Sequence, residues 1–260
     1  MGPGPAATNG CRGGPGGRIY DHGRVHVHPG RGFVPRRVVV AADGPAAAGA
    51  RPRGVRAVAD RDGRAGAPHD AGRDRARHHV DDVLAVVDAE ELTDVVLVGH
   101  SYAGVVVGSV VDRRPEPFRR VVYLDALVPE DGRSVIDLLG PAGGYFLDRA
   151  DEEAGVIPLD EESLDRWGLV RPADRDWVRR RASPQPLATF TDAAAMSRAV
   201  EASGVPVTYV YCTVKPRVDL FTAIAERTKA DPAWDHVALA GPHDCMITHP
   251  VETADVLAAL

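Results

Sequence analysis

The chain has 260 residues and a net charge of -6, which suits one α/β domain with a substantial core and is too short for a second full domain. Its three cysteines are widely spaced and odd in number, so they predict neither a disulfide framework nor a paired metal site and favour a cytoplasmic setting. The sequence lacks a run of about 18 apolar residues and a signal-peptide core, which predicts neither membrane insertion nor export.

Residues 1–78 differ in composition from the rest of the chain. They hold 14 arginines, 6 aspartates and 16 of the 27 glycines, but no Leu, Ser, Glu, Lys, Gln or Trp. Their charge balance is +8, whereas that of residues 79–260 is -14. This composition predicts disorder, with a single strand at residues 38–42.

Residues 79–260 alternate helical and strand patterns, which predicts an α/β fold with a mainly parallel sheet. Residues 79–91 have helical apolar spacing, and residues 95–98 form a continuous apolar run typical of a strand buried on both faces. Residues 130–203 are acidic and exceed an ordinary crossover, so we predict an insertion that caps the sheet. Further strands are predicted at 121–124, 207–212 and 236–240, and further helices at 219–229 and from about 251.

The strand at residues 95–98 leads into GHSYAG and then into a run of small and β-branched residues. Strand, G-x-S-x-[GA] and helix together describe a nucleophile elbow, in which a strained turn lifts a serine hydroxyl above the sheet. We therefore take Ser101 as the candidate nucleophile. The backbone N–H of Tyr102, at the helix N-terminus, is the candidate oxyanion donor. The alternative is a chance match in a tight strand–helix turn.

A serine hydroxyl needs a base to become a nucleophile, and His243 follows the last predicted strand in the turn GPHD. We take His243 as the candidate base. We expect His100 to shape the elbow turn and His249 to be solvated.

Two aspartates compete as the acid that orients the histidine. Asp125 ends the strand at 121–124, where a buried carboxylate needs a partner. Asp219 follows the strand at 207–212, the usual location in this fold, but lies several residues beyond the strand end. Asp125 is slightly favoured and Asp219 is the alternative.

The segments VVLVGHSYAGVVV, VVYLDALVPEDG, SPQPLATFTDA, TYVYCT and GPHDCM resemble bacterial esterase-type α/β-hydrolases related to plant methylesterases and hydroxynitrile lyases. The resemblance covers residues 79–260. It implies an α/β-hydrolase fold, a Ser-His-Asp triad, a small-molecule ester substrate, no metal or organic cofactor, and a cap over a mostly apolar pocket. Lyase members carry a lysine just after the catalytic histidine, whereas this chain has Asp244, which favours hydrolysis.

The family's N-terminal third, with a strand ending in His-Gly that supplies the second oxyanion donor, has no counterpart in residues 1–78. Yet the neighbouring reading frame of residues 43–78 permits a family-like string that joins the written sequence at His79. We therefore interpret residues 1–78 as a frameshift product, which would leave the oxyanion hole incomplete and impair activity. Resequencing of codons 25 to 80 tests this interpretation.

Three functions are compatible with these features. The leading one is a serine hydrolase that cleaves a small carboxylic ester or lactone through an acyl-enzyme. The second is hydroxynitrile-lyase-type chemistry on the same fold. The third is a catalytically impaired protein whose basic tail binds nucleic acid or another acidic surface. The acidic balance of the whole chain favours neither a nucleic-acid nor a membrane partner, and no pattern specifies the oligomeric state.

Overall fold

A computed structural model describes residues 20–21, 24–25, 37–41, 55–58, 75–217 and 219–260. The strands are β1 (Tyr20–Asp21), β2 (Arg24–Val25), β3 (Arg37–Ala41), β4 (Val55–Val58), β5 (Val95–His100), β6 (Phe118–Leu124), β7 (Val156–Ile157), β8 (Gln185–Pro186), β9 (Val207–Cys212) and β10 (Trp234–Leu239). Six of them form one parallel sheet in the order β4-β3-β5-β6-β9-β10. The predicted α/β fold with a mainly parallel sheet is confirmed.

Ten α-helices are present in the described part of the chain. They are α1 (Ala76–Ala89), α2 (Ala103–Arg113), α3 (Val135–Leu139), α4 (Gly143–Leu147), α5 (Glu161–Arg166), α6 (Pro172–Arg179), α7 (Ala188–Thr191), α8 (Thr222–Ala230), α9 (Cys245–Thr248) and α10 (Pro250–Ala259). None of these helices has the length and apolar character needed to span a bilayer.

Strand β5 is buried along its whole length because both faces of the sheet are covered. Successive side chains of a strand point to opposite faces. Val95 and Leu97 accordingly join the large core that includes α1 and α2. Val96 and Val98 join a smaller core against α10. Burial of each such side chain contributes about 1.5–3 kcal/mol, so β5 anchors the turn that follows it.

Segment 1–78 contributes strands to the structure. The strand predicted at residues 38–42 is confirmed as β3, which pairs with β5 on one side and β4 on the other. Strands β1, β2 and β4 were not predicted, because stretches of two to four residues among glycines and arginines give no periodic signal. The disorder prediction for residues 1–78 is also wrong at residues 76–78, which form the first turn of α1. The rest of that prediction falls outside the described residues, and the frameshift stays a hypothesis.

The segment between β6 and β9, called the insert here (residues 130–203), contains only short elements. Strands β7 and β8 pair in antiparallel fashion within it. Leu164, Leu169 and Val178 form a separate small core there, with Trp167 and Trp177 packed against it. The insert therefore has apolar packing of its own beside the main sheet.

Candidate active site

The turn after β5 has the strained geometry of a nucleophile elbow. Ser101 has a φ of 57°, a left-handed conformation that is uncommon for residues other than glycine. A Cβ atom at Gly99 would lie 2.5 Å from Val107 Cγ2, and one at Gly104 would lie 2.0 Å from the carbonyl oxygen of Leu127. The small residues around Ser101 are therefore required by close backbone packing.

His243 is buried and hydrogen-bonded to Asp125, with 2.7 Å between Nδ1 and Oδ2. An ionised carboxylate only accepts hydrogen bonds, so Nδ1 carries the proton and Nε2 keeps a free lone pair. The ring of Phe221 stacks on the imidazole at 5.0 Å between centroids and 10° between planes. This tautomer and orientation suit a base that takes a proton at Nε2.

Asp125 is fully buried and accepts three further hydrogen bonds. The backbone N–H of Cys212 donates to Oδ1 at 3.2 Å, and Lys215 Nζ donates to Oδ1 at 2.7 Å and to Oδ2 at 2.9 Å. No sequence motif marks Lys215 as a partner of Asp125. Lys215 lies three residues beyond the end of β9, at the same edge of the sheet as Asp125. This position was the sequence signal that could have indicated the contact.

Asp219 lies away from the imidazole and organises the start of α8. Its carboxylate accepts hydrogen bonds from the Tyr211 hydroxyl at 2.6 Å, from the Thr222 hydroxyl, and from the backbone N–H of Phe221 at 2.8 Å. Burial raises the pKa of Asp219, but these hydrogen bonds and the charge of Lys215 outweigh it, and the pKa lies below its ordinary value. The structure thus brings Asp125, and not Asp219, to His243.

His100 ties the end of β5 to the loop that carries His243. Its Nε2 lies 3.0 Å from the backbone carbonyl oxygen of His243 and must donate, because a carbonyl only accepts. Burial lowers the pKa of His100 well below its ordinary value, so the ring is neutral. His100 therefore shapes the site as expected, whereas His249 is half-buried and contacts the Thr248 hydroxyl rather than being solvated.

Asp244 is a second buried carboxyl beside the imidazole. Its Oδ1 lies 3.9 Å from His100 Nε2. Burial raises the pKa of Asp244 to about 6, against a smaller opposing effect of His243. This carboxyl therefore changes charge within the range of pH in which a histidine-dependent site operates.

Tyr102 follows Ser101 and is the N-cap residue of α2, which places its backbone N–H at the helix N-terminus. Its hydroxyl lies 3.1 Å from His79 Nδ1, and its ring stacks on Phe190. The loop after β3 starts beside the elbow, since Ala41 pairs with Gly99. That loop, where the family's second oxyanion donor is expected, lies outside the described residues.

Ser101, His243 and Asp125 line one cavity of about 130 Å³ together with residues of the insert. Its wall is mostly apolar and includes Leu139, Phe146, Ile157, Leu159, Trp167 and Phe190. Trp167 and Phe190 thus line the cavity, whereas Trp177 packs against the small core of the insert.

Comparison with known proteins identifies the family of this chain. A model of the alpha/beta hydrolase family matches residues 17–256, a range that includes β1 to β4. The carbendazim hydrolyzing esterase of Nocardioides sp. (strain SG-4G) is 37% identical over 202 residues, which covers 70% of this chain and 77% of that protein.

Solved structures share the fold at low sequence identity. An extracellular alpha/beta-hydrolase from a Paenibacillus species, described as a structural and functional homologue of tobacco salicylic acid binding protein 2, has a TM-score of 0.69 at 20% identity, with 86% of this chain and 98% of that chain covered. A pyrethroid hydrolase from Sphingobium faniae JZ-2 has a TM-score of 0.63 at 18% identity, with 86% and 96% covered. The chain belongs to the alpha/beta hydrolase family and is a hydrolase enzyme.

Proposed function

We propose that this chain is a serine esterase that cleaves a small carboxylic ester or lactone through an acyl-enzyme. The observation that carries the proposal is the 2.7 Å hydrogen bond between His243 and the buried Asp125, in a cavity that Ser101 also lines. The esterase name of the Nocardioides relative supports the same type of reaction.

In the first half of the proposed reaction, the Ser101 hydroxyl attacks the ester carbonyl and His243 Nε2 takes its proton. Asp125 stabilises the resulting imidazolium, and the backbone N–H of Tyr102 donates to the oxyanion. The tetrahedral intermediate then expels the alcohol, which leaves with the proton held by His243. Ser101 is now acylated.

In the second half, a water molecule attacks the acyl carbon while His243 takes one of its protons. Collapse of the second intermediate releases the carboxylic acid and returns the proton to Ser101. A cavity of about 130 Å³ is small beside the several hundred Å³ of pockets for drug-sized ligands, which favours a compact substrate. Its mostly apolar wall favours a substrate without several charges.

The test compares hydrolysis of p-nitrophenyl acetate by the whole chain and by Ser101→Ala. We expect the variant to lose roughly 10⁴-fold or more in kcat/KM, and the unmodified chain to release a burst of p-nitrophenol equal to the enzyme concentration. Ser183→Ala is the matched control, because Ser183 lines the same cavity but does not follow β5. Carbendazim is a second substrate to measure. Equal rates for the chain and Ser101→Ala would contradict the proposal and favour a catalytically impaired protein.

Lyase chemistry is the competing activity, because Lys215 brings an ammonium into the cavity, the group that the resemblance associates with lyases. Here that ammonium is already held by both oxygens of Asp125. We therefore expect no cyanide release from a cyanohydrin, and release that depends on Lys215 would favour the lyase instead.

A further inference from the structure

Lys215 lies in the loop after β9, and its ammonium contacts both oxygens of Asp125, at 2.7 Å and 2.9 Å. The Lys215 side chain is only 15% exposed and that of Asp125 is fully buried, so this ion pair is largely out of water. Removal of either partner would leave a buried charge uncompensated, which is strongly unfavourable. The two side chains therefore act as a unit.

The Lys215 ammonium is held from several sides. Its Nζ lies 4.5 Å from the centroid of the Tyr211 ring and 5.4 Å from that of Phe221, positions in which an aromatic face stabilises a cation. It also lies 3.6 Å from Asp219 Oδ1. Because Phe221 stacks on His243 as well, one aromatic ring contacts both the ammonium and the imidazole.

These contacts fix the direction of the Asp125 carboxylate. Oδ2 accepts from His243 and from Lys215, and Oδ1 accepts from Lys215 and from the backbone N–H of Cys212. Rotation of the carboxylate away from the imidazole would break bonds at both oxygens. Lys215 thus supplies two of the four hydrogen bonds that hold Asp125 against His243.

The charge of Lys215 acts on the same carboxylate. A buried carboxylate without a counter-charge is costly, and the ammonium compensates it at both oxygens. The Asp219 carboxylate also lies near the ammonium, at 3.6 Å from Nζ, but its hydrogen bonds come from Tyr211, Thr222 and Phe221. Asp125 is therefore the carboxylate that Lys215 holds.

We propose that Lys215 is a positioning residue of this site: it fixes the Asp125 carboxylate against His243, so that Nδ1 of the imidazole keeps its acceptor. This inference rests on the proposed serine esterase function. Lys215 acts through Asp125 and takes no proton from the substrate. The orientation of the imidazole therefore depends on an ammonium that the triad itself does not contain.

The test measures kcat and KM for p-nitrophenyl acetate separately. In Lys215→Met we expect kcat to fall roughly tenfold while KM stays within about twofold, because both hydrogen bonds from Lys215 to Asp125 are lost. Lys215→Gln keeps one donor and should lose about threefold in kcat, whereas Lys215→Arg can donate to both oxygens and should match the unmodified chain. Lys229→Met, at an exposed position of α8, is the control.

A second readout needs no turnover. The low-field proton NMR signal of the Asp125–His243 hydrogen bond is recorded for the unmodified chain and for the variants, and we expect it to be displaced or lost in Lys215→Met and kept in Lys215→Arg. A chain that shows this change but no esterase activity would refute the proposed function and retain the inference. Thermal unfolding identifies a Met variant that does not fold, in which case the difference in kcat between Lys215→Gln and Lys215→Arg decides. An unchanged kcat and an unchanged proton signal in a folded Lys215→Met, or equal kcat values for Gln and Arg, would overturn the inference.

Discussion

The loops after β6 and β9 begin side by side at the same edge of the sheet, yet their aspartates have different roles. Asp125, directly after β6, is fully buried and contacts His243. Asp219, seven residues beyond the end of β9, contacts Tyr211, Thr222 and the backbone at the start of α8. Distance along the chain from the strand end therefore separates a carboxylate that faces the imidazole from one that orders a helix.

The two loops also differ in how tightly they are attached to the elbow. The backbone N–H of Leu127 donates to the Ser101 carbonyl at 3.0 Å, and that of Asp125 donates to Val210 at 2.7 Å. The loop after β9 instead hydrogen-bonds to the opposite neighbour, with Thr213 donating to Leu239. The loop after β6 is thus part of the elbow's own packing, and a carboxylate placed there has little freedom to move.

Asp125→Asn is the variant for which we expect the largest loss of activity and stability. An amide cannot stabilise the imidazolium as a carboxylate does, and it leaves the Lys215 ammonium without its buried partner. We expect kcat/KM for p-nitrophenyl acetate to fall about 10³- to 10⁴-fold, with a loss of about 3 kcal/mol in the free energy of unfolding.

Two controls separate catalysis from folding in that variant. Asp148→Asn changes an exposed carboxylate of the insert and should leave both quantities unchanged. The double variant Asp125→Asn with Lys215→Gln removes the unpaired ammonium, so stability should recover while activity does not. A loss of activity below tenfold in Asp125→Asn would mean that another group orients His243.

Gly104→Ala tests the attachment of the β6 loop to the elbow. The added Cβ would lie 2.0 Å from the Leu127 carbonyl oxygen and 2.9 Å from Ala126 Cβ, so the loop must move away from α2. We expect the free energy of unfolding, measured with urea, to fall by about 3 kcal/mol, and activity to fall with it because Asp125 shifts. Gly144→Ala, in α4 with nothing within 4 Å of the new methyl, should be neutral or slightly stabilising. Equal stability of the two variants would refute this packing argument.

The elbow could be predicted from the sequence because each of its parts is local. The buried run before Ser101 and the small residues around it specify strand, turn and helix within about ten positions, and the structure has them as β5, Ser101 and α2. A histidine in the cavity of Ser101 could be predicted at His243, because chain order in this type of fold places a histidine after the last strand. The predicted strand at residues 207–212 agrees with β9 to the residue.

The partner of His243 could not be chosen with the same certainty, because it depends on contacts between loops that are far apart in sequence. Asp125 and Asp219 both follow buried strands. Only the three-dimensional arrangement shows that the Asp219 carboxylate accepts hydrogen bonds from Tyr211 and Thr222 instead of from His243. Lys215 was missed for the same reason, since its partner is 90 residues away. Strand β4 escaped prediction because four residues among glycines and arginines give no periodic signal.

We expect the smallest effect from Asp219→Asn, which changes the aspartate that does not contact His243. The variant loses the charge that accepts hydrogen bonds from Tyr211 and Thr222 but leaves the Asp125–His243 pair intact. We therefore expect kcat/KM for p-nitrophenyl acetate to stay within about threefold of the unmodified chain.

The same variant tests how the charge of Asp219 contributes to stability. Because the folded pKa of Asp219 lies below its ordinary value, its charge stabilises the fold above the unfolded pKa, and this stabilisation is lost as pH falls through the folded pKa. Unfolding measured at pH 7 should show a loss of about 1 kcal/mol relative to the unmodified chain, and the difference should shrink as pH falls below the ordinary range of an aspartate carboxyl. Asp255→Asn, at an exposed position of α10, is the control and should show no such dependence. If Asp219→Asn instead abolished activity while Asp125→Asn kept it, the assignment of the two carboxylates would have to be exchanged.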